Sequence, residues 1–372
     1  MFFTSRSRFA LLALAFIHAP ARAGEEPAGW KKAEAAQYLD ARAKTWFAFA
    51  SASRGEAESK SFCLSCHTSF PYALARPVLR QLLGAEQPTE YETKLLEQTQ
   101  QRVAHWESLD TPKWRLFYDF NEQKKKESWG TEAILNAVVL AFADRSQRRR
   151  TPSASTKQAF ARLWHVQASE GSQQGTWDWL DFKLEPWESP GARYYGATLA
   201  AVAVGTAPGY YTPGTDNELD QRVQRLRGYL KEHRSEQNLF NRTWLLWAAS
   251  GLDGLLTPEE RQALIEELLA RQEADGGWRL AALGAFVRSD GTLQETTSDG
   301  YATGLVLHVL QTAGVSKKDP KIAKGLSWLQ ANQRPTGEWV TSSVNKKRDP
   351  ATHVGRFMSD AATAYAILAL SH

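Results

Sequence analysis

The sequence predicts an all-α protein built as an (α/α)6 toroid of six helical hairpins. Three observations predict it. Strand-like alternation is almost absent from the 372 residues. A stretch with the apolar spacing of an amphipathic helix recurs six times, each followed by a second helix rich in Ala, Gly and Thr. In the better-preserved copies a Gly-Trp turn separates the two. Small residues let helices approach closely, which suits an inner ring, while longer charged helices wrap outside it.

In chain order, Trp30–Phe49 and Phe70–Leu83 form the first pair, and Tyr91–Trp106 and Thr131–Ala143 the second. The third runs from Phe160 through Gln167 to Gly175-Thr176-Trp177, with Tyr194–Ala201 as its second helix. The fourth, degenerate, pairs Leu219–Lys231 with Asn241–Ser250. The fifth begins at Thr257-Pro258-Glu259-Glu260, where Thr caps, Pro takes the first helical position and carboxylates fill the first turn. It passes Gln272 and Asp275-Gly276-Gly277-Trp278, and Asp299 opens its inner helix, Tyr301–Leu310. The sixth runs Ile322–Gln330, then Thr336-Gly337-Glu338-Trp339, then Ser359–Leu368. Asp299 and Asp360 both read as N-caps. The basic runs Lys124–Lys126 and Arg148–Arg150 read as solvated loop charge.

The chain opens with a basic stretch, the apolar run Phe9–Ile17 and the small-residue site Ala21-Arg22-Ala23. Residues 1–23 therefore read as a secretory signal peptide, leaving 24–372 as one toroid domain, periplasmic or secreted. The apolar run is too short for a stable membrane anchor. Three of the 45 basic residues (Arg6, Arg8, Arg22) fall in the leader, leaving 42 against 41 acidic ones, a net +1. Such a balance gives no reason to expect nucleic acid as a partner.

The only two cysteines fall in Cys63-Leu64-Ser65-Cys66-His67. This is C-x-x-C-H, the attachment pattern of a c-type haem. Two thiols bond to the vinyl groups, and the adjacent imidazole becomes the proximal iron ligand. Export supports the assignment, because such haem is attached outside the cytoplasm. A thioredoxin-like C-x-x-C would need a βαβ setting, and a zinc site would need further ligands. The expectation is one covalent haem c on Cys63, Cys66 and His67. A closed ring brings unit six beside unit one, so Met358 and His353 are candidates for the distal iron position. His105 from unit two is a third.

The segments around Gln272…Trp278 and Gln330…Trp339 resemble the Q-W repeats of squalene-hopene cyclases and prenyltransferase β-subunits. Gln167…Trp177 is a looser copy. The resemblance implies a terpenoid cyclase/prenyltransferase-like toroid in which Gln caps helix ends and Trp packs between units. It does not extend to chemistry. The D-x-D-D acid of the cyclases is absent. The zinc set of the prenyltransferases needs a cysteine, and both lie in the haem motif.

The first functional expectation is an exported haem protein in electron transfer or an accessory role, with a redox partner protein. The alternative is a haem-dependent enzyme or binder holding a terpenoid or other apolar molecule in the toroid. A weaker one is a cyclase-like enzyme without haem.

Overall fold

The computed structural model describes Met1, residues 29–56 and residues 59–372. The expected signal peptide lies, beyond Met1, outside the described residues. The chain divides into two units, Met1–Trp30 and Lys31–His372, and the helices of the described residues belong to the second.

Among the described residues, twelve α-helices alternate between an outer and an inner layer. The outer helices are α1 (Lys32–Ala48), α3 (Glu90–Ala104), α5 (Ala154–His165), α7 (Asn217–Glu232), α9 (Pro258–Ala270) and α11 (Pro320–Asn332). The inner helices are α2 (Ser69–Leu82), α4 (Glu122–Ser146), α6 (Ala192–Thr206), α8 (Leu239–Ala248), α10 (Gly300–Thr312) and α12 (Phe357–Leu370). Each inner helix packs on the next, and α12 packs back on α2, so the ring closes. Among the described residues the only strands are β1 (Ser53–Arg54) and β2 (Ser61–Phe62), a short antiparallel pair in the first hairpin turn. No helix among the described residues is long and apolar enough to cross a membrane.

A repeated device joins successive units. Gln272 donates through Nε2 to Gly276 O (2.8 Å) and to Lys321 O of the next outer helix (2.7 Å). Gln167 does the same to Gly175 O and Arg222 O, both at 3.1 Å. The third copy is made by Gln333, three residues beyond the expected Gln330. It reaches Gly337 O (2.9 Å) and Lys31 O (3.0 Å), which closes unit six onto unit one. In each copy the Trp indole N–H donates back to the outer helix: Trp177 to Leu163 O, Trp278 to Leu268 O and Trp339 to Leu329 O. Gly337 is required at its place. Its φ is +98°, and a Cβ there would lie 2.2 Å from the backbone of Glu34 in α1.

Two inner helices depart from expectation. Helix α4 starts nine residues earlier than Thr131, at Glu122, capped by Asn121 Oδ1 accepting from Lys124 N. The Lys124–Lys126 run is thus helical, with Lys124 paired to Glu127. Helix α12 starts at Phe357, so Asp360 lies inside it and is no N-cap. Asp299 does cap α10, accepting from Tyr301 N and Ala302 N.

The ring axis is filled with aromatic side chains. Trp187 donates to Tyr301 Oη (3.0 Å); Tyr301 meets Tyr365 at 5.4 Å, Tyr365 meets Trp244 at 5.6 Å and Trp244 stacks on Trp247 at 5.1 Å.

Candidate functional site

The C-x-x-C-H segment links β2 to α2, in the outer-to-inner turn of unit one. Its inner serine has a structural role. Ser65 Oγ accepts from Thr68 N and Ser69 N, both at 3.2 Å, and so caps α2. Cys63 O accepts from Trp46 Nε1 and Ser69 Oγ, both at 2.9 Å. The motif is thereby fixed to α1 and α2 at once.

His67 carries the informative geometry. Its Nδ1 is 2.7 Å from Thr68 Oγ1, and Thr68 Oγ1 donates to Asp360 Oδ2 at 2.7 Å. A carboxylate can only accept, so the threonine proton is committed to Asp360. Thr68 Oγ1 must then accept from His67 Nδ1–H, which leaves Nε2 with its lone pair. Burial drives the His67 pKa well below its usual value, with His353 and Arg42 adding to the effect, so the ring is neutral. A neutral imidazole with Nδ1 held and Nε2 available is the form that binds iron.

Asp360 is the hub behind this arrangement. At 1 % exposure it accepts from Tyr38 Oη (2.9 Å), Arg42 Nε (2.6 Å) and Arg42 Nη2 (3.0 Å) as well as from Thr68. Burial pushes its carboxyl up, and Arg42 pulls it back. Arg42 also donates to His353 O at 3.0 Å. The first and last units therefore meet at the motif, as ring closure requires.

Around His67 stands an aromatic shell. Phe357 stacks on its ring at 3.7 Å, Trp46 meets it edge-on at 5.0 Å and Trp187 lies at 6.4 Å. His353 belongs to the same shell, 4.7 Å from Phe49 and 5.0 Å from Phe357 between ring centres. Both His353 ring nitrogens are buried without a partner. Met358 is also buried, at 4 % exposure. Phe357 and Asp360, three residues apart, share the helix face turned to His67 and Arg42; Met358 lies about 100° around the helix from Phe357. His105 stacks on Trp114 at 4.0 Å in unit two.

The two thiols are unbonded, Cys63 partly exposed and Cys66 at 3 % exposure. Burial raises both well above the usual thiol range, and the Glu188 carboxylate raises them further. Redox C-x-x-C pairs need the opposite, a lowered thiol. Burial likewise lifts Glu188 to about 7.

The donor set suits a haem: two unpaired thiols, one imidazole with Nε2 available and a second imidazole with orphaned nitrogens. The room beside Cys63 and Leu64 is only about 30 Å³. A porphyrin on this motif would need more room than that and would have to shift its neighbours outward.

No family model matches the chain, and no curated protein does. Solved structures similar to it include an inactive variant of the α-1,6-mannanase GH76A of Salegentibacter sp. HEL1_6. That protein is 11 % identical, with 91 % of this chain and 100 % of that one covered and a TM-score of 0.48. The type II terpene cyclase MstE from Scytonema is 14 % identical, with 92 % and 98 % covered and a TM-score of 0.45. A possible GH105 member from Klebsiella pneumoniae is 10 % identical, with 97 % and 98 % covered and a TM-score of 0.45. These likenesses bear on no residue of the site.

The sequence alone did not single out Thr68, Arg42, Trp46, Trp187, Glu188 or Phe357. Arg42 had a readable signal. It falls in register with Ala35, Leu39 and Trp46 on the buried face of α1, where a lone cation needs a partner.

Proposed function

We propose that this chain is an exported c-type haem protein acting in electron transfer or an accessory role. The observation that carries the reading is the His67–Thr68–Asp360 chain of hydrogen bonds, which fixes the tautomer and leaves Nε2 for a metal. Cys63 and Cys66 would hold the porphyrin by thioethers, and the bound iron would supply one-electron chemistry. The chain's own contribution is to orient the imidazole, through Thr68 and Asp360, and to shield it from water with Trp46, Trp187 and Phe357. His353, in the same aromatic shell with unpartnered nitrogens, would be the second residue to hold the iron, with Met358 as its competitor.

We further read the ring as terpenoid cyclase/prenyltransferase-like, a reading supported by the Gln-Gly-Trp device of units three, five and six. The proposal concerns its architecture and carries no cyclase chemistry with it.

The test is expression in a host with working haem-attachment machinery. One haem per chain should survive denaturation and extraction, and Cys63→Ser with Cys66→Ser should abolish it. A colourless product with two titratable thiols would refute the reading.

A further inference from the structure

A cavity of about 370 Å³ opens at the opposite end of the ring, among the C-terminal ends of the inner helices. Its wall on α2 runs from Ala73 to Gln81, about 9–21 Å along the helix from His67. The volume falls within the range of small-molecule sites, about 300–1,000 Å³. Its walls are largely apolar, with Leu74, Val78, Phe142, Trp247 and Leu368 among them.

One wall carries a buried polar atom without a partner. His308, at 8 % exposure, has its Nδ1 2.9 Å from His372 Nε2, while His308 Nε2 is buried with no partner. Thr312 donates its hydroxyl to His308 O at 2.7 Å, which ties the histidine pair to the end of α10.

The cavity also carries cations. Arg145 and Arg148 line it, and neither makes an ion pair among the described residues. Arg145 lies close enough to help depress the His308 pKa, second to burial and His372. Arg148 sits just beyond the end of α4 with φ +56°, a left-handed position that glycine fills at least conformational cost. The run Arg148–Arg150, solvated loop charge by its sequence, thus begins at a cavity mouth.

We propose that this cavity binds a single-chain amphiphile with an anionic head, carboxylate or phosphate. The head pairs with Arg145 and Arg148; the tail lies against Leu74, Phe142 and Trp247. At about 30 Å³ for each water-sized group, the cavity holds roughly a dozen heavy atoms, the size of a ten-carbon chain with its head. The site is independent of the haem reading.

The test is titration of the full-length exported protein with decanoate, decyl phosphate, decanol and decyltrimethylammonium, below their micelle concentrations, followed by calorimetry and tryptophan fluorescence. Saturable micromolar binding is expected for one or both anions, with the alcohol and the cation at least tenfold weaker. The better of the two anions identifies the head group. Arg148→Gln, an exposed change that leaves the core intact, should weaken anion binding at least fivefold, and adding Arg145→Gln should weaken it further. No saturable anion binding, equal binding of the cation, or an Arg145→Gln Arg148→Gln double variant that binds like the parent would each overturn the proposal.

Discussion

The Arg42–Asp360 pair holds the first unit to the last, and its removal should be felt throughout the ring. Asp360→Ala strips a buried guanidinium of its counter-charge and leaves Tyr38 and Thr68 without their acceptor. Breaking one side of a buried ion pair costs about 3–5 kcal/mol. The unit Lys31–His372, taken as about 340 residues, has an unfolding entropy near 0.7 kcal/mol/K at about 2.1 cal/mol/K per residue. A loss of about 4 kcal/mol then lowers the melting temperature by about 6 °C. Arg42→Met with Asp360→Leu removes both charges and restores apolar volume, so the double variant should lose less than either single one. Urea denaturation followed by tryptophan fluorescence and far-ultraviolet circular dichroism reads all three. A single variant losing under about 1 kcal/mol, or a double variant losing the sum of the two, would refute the claim that this pair carries the seam.

Other perturbations have equally definite outcomes. Thr68→Val cuts the acceptor from His67 Nδ1–H, lowering the basicity of the imidazole; in the haem-loaded protein the midpoint potential should rise, as spectroelectrochemistry would report. His353→Ala should open the reduced iron to carbon monoxide, while Met358→Ala leaves the visible spectrum unchanged; the reverse pattern would move the distal position to Met358. Gln333→Ala removes the two hydrogen bonds to the Lys31 backbone that close unit six on unit one, and the one to Gly337 O, and should cost about 1–2 kcal/mol, whereas Gln330→Ala should be near neutral in the same denaturation assay. His308 is held neutral, with burial lowering its pKa to about 3. The unfolded chain binds the extra proton between about pH 6.5 and 3, so this stabilisation is complete above pH 6.5 and lost as pH falls through that window. The loss is at most about 5 kcal/mol, and His308→Gln should flatten the pH dependence of the urea midpoint over that range.

Periodicity made the ring legible. Outer helices announce themselves by apolar spacing and capping residues, and inner ones by small residues, so all six pairs fall where the spacing puts them. Boundaries were less legible where a polar start hides a helix. Glu122–Ser128 is charged, yet Asn121 caps it and the helix continues from there. The Gln330 assignment slipped because both Gln330 and Gln333 stand before the turn. Only the four-residue separation to the turn glycine, shared by Gln272–Gly276 and Gln333–Gly337, distinguishes them. At the motif, Cys63, Cys66 and His67 are visible as a pattern. Their surroundings come from residues nearly the whole chain away, and no local signal pairs Thr68 with Asp360.

That separation has a consequence for the order of events as the chain is made. Thr68 and Asp360 are 292 residues apart. Synthesis proceeds from the N-terminus, so the two cysteines emerge long before Phe357 and Asp360 exist to cover them. For most of that interval the thiols face an incomplete ring with its last place empty. On the proposed haem reading, an attachment enzyme would have its access then, before the sixth hairpin arrives, and a chain truncated before α12 would leave the five-residue motif open to it.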